Sequence, residues 1–94
     1  MPSSTDDLAV RRKQLRFRSW HRGIKEADLL LGRFADRYID GFDAGQLDRF
    51  DALLGENDIE IYAWYAGRSE PPAAVAETDV WALLKSFPVH EASA

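Results

Sequence analysis

The side chains of this 94-residue chain best suited to chemistry crowd into one segment, Arg18-Ser19-Trp20-His21-Arg22-Gly23-Ile24-Lys25-Glu26-Ala27-Asp28. Guanidinium groups and an imidazole precede a glycine, and carboxylates follow it at Glu26 and Asp28. Such a set suits the recognition of a charged partner better than bond-breaking. The same residues would also make an ordinary corner between two helices. Arg22 would complement the C-terminal dipole of one helix, Gly23 would turn the chain with positive φ, and Glu26 and Asp28 would complement the N-terminus of the next.

Other chemistry finds little support. The chain has no cysteine, which removes disulfides, thiolate metal sites and thiol nucleophiles together. His21 and His90 have no partner at metal-ligand spacing, and there is no glycine-rich phosphate loop. No catalytic, cofactor-binding or metal-ligating residue is therefore expected. Asp36, Asp40 and Asp43 read as a solvated helix face and a cap. Trp20, Trp64 and Trp81 read as core or interface anchors, and Trp64, near Asp58 and Tyr62, is a candidate for either role.

Charge is unevenly distributed. Residues 1–38 carry nine Lys or Arg against five Asp or Glu, whereas residues 39–94 carry three against eleven. Between Leu8 and Lys25 there are seven cations and no carboxylate. One end of the molecule is thus fitted to an anionic partner, while the remainder would repel polyanions. No apolar run approaches the ~20 residues needed to cross a bilayer, so direct membrane insertion is not expected. The opening Met1-Pro2-Ser3-Ser4-Thr5-Asp6-Asp7 is polar and lacks a signal-peptide pattern. A cytoplasmic, bacterial-type chain is expected, with a mitochondrial matrix form left open.

The elements that must position this segment are helical. β-Branched residues are scarce and no stretch alternates long enough for a strand. Asp6 or Asp7 would cap a first helix through Leu8, Leu15 and Trp20, with Val10 and Phe17 nearly opposite its buried side. A second helix, about 24–39, carries Ala27, Leu31, Phe34 and Tyr38 at helical spacing and ends at Gly41. Asp43 with Gln46 forms a capping-box pattern ahead of Leu47, Phe50 and Leu54, and Gly55 closes that helix. Asn57 with Glu60 opens a fourth helix through Ile61, Trp64 and Tyr65, which stops at Gly67. Pro71-Pro72 reads as an extended linker. Thr78 caps a fifth helix with Val80, Leu83, Leu84 and Phe87, and Pro88 ends it. The expectation is a single all-α domain, a compact bundle of five short helices, with flexible tails at about 1–6 and 89–94.

The string Arg22-Gly23-Ile24-Lys25-Glu26 resembles the RGxxE motif of the succinate dehydrogenase flavinylation factors, which are small helical assembly proteins. The likeness extends upstream to Leu15, Arg18 and Ser19. Downstream it includes Asp28-Leu29-Leu30-Leu31-Gly32-Arg33-Phe34, then Leu47, Phe50, Leu53-Leu54, Asp58 and Ile61-Tyr62-Ala63-Trp64, covering roughly residues 11–87. His21 stands where another basic residue is common. The resemblance implies a chaperone-like factor, not an enzyme. It would bind the flavoprotein subunit of succinate dehydrogenase, and of fumarate reductase, as a monomer. It would promote covalent attachment of FAD to that subunit without stably holding the cofactor itself. Partner-binding residues would be Arg18, Arg22, Gly23, Glu26, Asp28, Asp58 and Trp64, with Arg22 and Glu26 adding little to stability. The competing class is a small nucleic-acid-binding module that uses the basic first helix. Against it stand a pI near 5.0 and an acidic remainder.

Overall fold

The structure, a computed structural model, describes residues 4–88, with side chains from Asp7 onward. Among the described residues six α-helices follow one another: α1 (Ser4–Ser19), α2 (Lys25–Tyr38), α3 (Ala44–Leu54), α4 (Asp58–Tyr65), α5 (Ala73–Ala76) and α6 (Asp79–Lys85). A 3-10 turn, Ile39–Gly41, extends the end of α2. No strand occurs among the described residues. His90 and the greater part of the two expected tails lie outside them.

Local chemistry sets most boundaries. The Asp43 carboxylate accepts from the Gln46 N–H, and the Gln46 side chain answers the Asp43 N–H, so the capping box is complete. The Asn57 side chain accepts from the N–H groups of Ile59 and Glu60, and Thr78 accepts from Trp81. Gly67 adopts φ +77° after α4, where Arg68 N–H reaches the Ala63 carbonyl and Gly67 N–H reaches that of Trp64. That pair of bonds satisfies two carbonyls the helix end would otherwise leave open.

Three local expectations change. α1 starts at Ser4, so Asp6 and Asp7 lie within its first turn and do not cap it. Gly23 does not have positive φ; among the described residues Gly67 alone does. The segment after Pro71-Pro72 contains the extra short helix α5, with Pro72 at its N-cap. Four residues are about one turn, too few for an apolar period to show.

The core gathers around Phe34, which has no exposed surface and meets the rings of Tyr38, Phe42, Phe50 and Phe87 at 5.0–6.1 Å. Leu31, Leu54, Val80 and Leu84 are buried with it, as their spacing predicts. α2 is the central element, packing on α1 and α4, while α3 packs on α1 and α6. Ser19 is fully buried where α1 ends, its hydroxyl bonded back to the Leu15 carbonyl at 2.7 Å.

α1 is attached differently. Among its described side chains Leu15 and Ser19 are buried, with Leu8 partly buried beside them, whereas Val10 and Phe17 are 55% and 63% exposed. Charge supplies the rest. Arg11 pairs with Asp48, Arg16 with Asp36 and Asp40, and Arg18 with Asp51. Arg12 donates to the Phe42 carbonyl at 2.8 Å. The cations that appear from sequence to await a polyanion are therefore mostly engaged by the molecule's own acidic half.

Candidate functional site

The corner between α1 and α2 lies against the loop between α3 and α4, and Arg22 joins the two. Its Nε donates to Asp58 Oδ1 at 2.7 Å, one terminal nitrogen donates to the Leu54 carbonyl at 2.7 Å, and the other reaches the Arg18 carbonyl at 3.4 Å. The side chain is 9% exposed and that of Asp58 is 18% exposed. One guanidinium thus satisfies carbonyls at the ends of α1 and α3 and neutralises a carboxylate in the first turn of α4. The second oxygen of Asp58 accepts from the Gly23 N–H at 2.6 Å, and Asp28 Oδ1 accepts from the Arg22 N–H at 3.1 Å. Two carboxylates from two helices therefore fix the backbone of the corner.

Gly23 lets the Asp58 carboxylate come close. A Cβ there would stand 3.1 Å from Asp58 Oδ2, closer than side chains normally pack. Glu26, in the first turn of α2, is exposed and has no hydrogen-bond or ion-pair partner among the described residues. It does not pair with Arg22.

Of the residues expected at the site, Arg18, Arg22, Gly23, Asp28 and Asp58 come together, and Glu26 projects from the same corner. Arg18 continues the pattern by pairing with Asp51 at 2.6 Å. Trp64 stands apart: it is 8% exposed and meets Trp81 edge-to-face at 6.5 Å, so most of its surface belongs to the core. Asp36 is not simply solvated, because it accepts from Trp20 Nε1 at 3.2 Å and lies beside Arg16.

Two participants escape sequence reasoning. The Leu54 carbonyl carries no side-chain signal at all. Gly32 does carry one: glycine inside a helix costs about 1 kcal/mol relative to alanine, so its presence asks for a packing reason. The reason is Trp20, whose ring lies against it; a Cβ on Gly32 would fall 2.2 Å from Trp20 Cδ2.

Residues 13–88, which include this corner and its partners on α3 and α4, match the family described as flavinator of succinate dehydrogenase. The chain belongs to that family. Its relatives include succinate dehydrogenase assembly factor 2, mitochondrial, of Debaryomyces hansenii, 49% identical over 59 residues, which are 63% of this chain and 42% of the relative. The protein of the same name from Aspergillus flavus is 41% identical over 81 residues, covering 81% of this chain and 27% of its own length. Succinate dehydrogenase assembly factor 2-B, mitochondrial, of Drosophila ananassae is 38% identical over 82 residues, 85% of this chain and 50% of the relative. The chain spans half or less of the length of each of these three relatives.

Proposed function

We propose that this chain is an assembly factor that binds the flavoprotein subunit of succinate dehydrogenase and promotes covalent attachment of FAD to it. Family membership and the names of the relatives support the client. The observation that carries the site is Glu26, an exposed and unpartnered carboxylate at a corner held by Arg22, Asp58 and Asp28. A charge presented from a fixed backbone loses little entropy when it meets its counterpart.

Covalent flavinylation joins a histidine of the client to the flavin, so nucleophile and electrophile both belong to the client complex. The factor contributes orientation, holding client segments where imidazole and flavin can react. It acts as a monomer in the complex, serves fumarate reductase by the same surface, and works where the client folds, in a bacterial cytoplasm or a mitochondrial matrix.

The test is co-production of the flavoprotein subunit with the parent chain, Glu26→Ala or Glu26→Gln, scored by in-gel flavin fluorescence. Covalent flavin should be lost with both variants while each stays folded. Undiminished covalent flavin with Glu26→Ala would remove Glu26 from the site.

A further inference from the structure

Outside the corner, the exposed side of α1 carries a feature that the motif does not use. Val10 and Phe17 are two of the most exposed large apolar side chains, and seven residues of helix bring them within about 20° of the same face. Phe17 is not loose there. Its ring stacks on His21 at 3.8 Å and 18° between planes, and His21 Nδ1 lies 2.6 Å from the Phe17 carbonyl. An apolar ring held in solvent by a neighbour is preorganised for contact. Beside it runs a cavity of about 540 Å³ lined by Arg11, Lys13, Gln14, Leu15, Phe17, Arg18 and Asp51. Of its three cations, Arg11 and Arg18 are already paired with Asp48 and Asp51, which leaves Lys13 as the uncompensated charge of the lining. Lys13 is exposed and has no ion-pair partner among the described residues.

We propose that this groove is a second docking point for the client flavoprotein subunit, occupied by a segment carrying an apolar side chain flanked by carboxylates. The inference rests on the proposed function. Position supports it, because Phe17 lies in the last turn of α1 and His21, just past its end, leads directly into the Arg22–Gly23 corner. Charge supports it as well: the apolar centre excludes a purely phosphate ligand, and the unpaired Lys13 at the rim selects a segment that brings a carboxylate. A second copy of this chain meeting the groove symmetrically would bring the unpaired Lys13 towards its own equivalent.

The test uses the full chain and purified flavoprotein subunit lacking covalent flavin, with affinity measured at low and high salt. The doubly substituted Val10→Ser/Phe17→Ser chain should keep the parent's melting temperature yet bind about tenfold more weakly or worse. Lys13→Glu should weaken binding and flatten its salt dependence, and Lys13→Arg should restore both. Parental affinity in the double variant, with binding lost in Glu26→Ala, would overturn the groove and leave the proposed function standing. Parental affinity in both would count against the site on which the proposed function rests. Two further outcomes would overturn the assignment: binding of the parent, but not the double variant, to phosphatidylglycerol vesicles with client affinity unchanged, or a dimer in sedimentation that the double substitution dissolves.

Discussion

Arg22 and Asp58 are 36 residues apart in the chain and meet at 2.7 Å, with the second oxygen of the same carboxylate on the Gly23 N–H. The arginine of the RGxxE segment therefore turns inward, the exposed glycine lends its N–H to the same carboxylate, and the glutamate faces out. That division turns one motif into two kinds of residue with separable effects.

Removing either member of the inward pair should cost stability. The pair is neither fully buried nor freely exposed, so the loss lies between the extremes for such pairs, about 2–3 kcal/mol. For a domain of this size, that lowers the melting temperature by roughly 10–20 °C. Arg22→Ala and Asp58→Ala should both show it, and the double variant should lose less than the sum. This differs from the expectation drawn from sequence that Arg22 adds little. Glu26→Ala should melt within about 0.5 kcal/mol of the parent. Thermal denaturation of the four chains decides the matter, and a parental melting temperature for Arg22→Ala would refute the clasp.

The two glycines of the turns should separate just as cleanly. Gly67→Ala places a side chain at φ +77° and should cost about 1–2 kcal/mol. Gly23→Ala needs only a shift of a few tenths of an ångström in the Asp58 carboxylate and should cost less than about 1 kcal/mol. Urea unfolding of both variants checks the order; a larger loss at Gly23 would mean that its backbone, not its neighbour, sets the requirement.

Gly32→Ala gains up to about 1 kcal/mol of helix propensity but drives a methyl group into the indole of Trp20. That ring is tethered by Asp36, so overpacking of about 1–3 kcal/mol should win. The variant should be less stable, with altered tryptophan fluorescence. Asp36→Ala, which frees the same ring, should be mildly destabilising. A more stable Gly32→Ala would show that Trp20 can move aside.

Acid should loosen the contact between α3 and α6. The Asp79 carboxyl is held below its ordinary value of about 3.9 by the hydrogen bond from Arg49, assisted by Gln46. A lowered folded-state value means that the contribution is present above the unfolded value and disappears as pH falls through the folded one. Asp79→Asn should therefore narrow the stability difference between neutral pH and pH 3. Acid titration of both chains, followed by circular dichroism, provides the check, and identical slopes would argue against the linkage.

What sequence conveys here is mostly what neighbours in the chain decide. The Asp43–Gln46 box, the Asn57 and Thr78 caps and the Leu31–Phe34 stripe depend on residues within one or two turns, and all are legible. The role of Asp58 is not, because a carboxylate at the start of a helix looks like a dipole complement until a distant arginine arrives. Gly23 has the same difficulty: a glycine after a cationic helix end suggests a left-handed turn, whereas its real constraint lies on α4. Asp36 reads as solvated because nothing nearby in the chain announces Trp20 or Arg16.

The mode of attachment of α1 affects its motion. A helix fastened by Leu15, Ser19, part of Leu8 and ion pairs to Asp36, Asp40, Asp48 and Asp51 has little apolar surface to lose when it lifts away. Its opening free energy should then depend on ionic strength, because screening weakens the exposed fastenings while leaving the Phe34 cluster untouched. In hydrogen exchange, the amides of α1 should lose protection as salt rises, while those of α2 hold theirs. The lopsided charge along the chain then amounts to a hinge whose stiffness is set by the surrounding electrolyte.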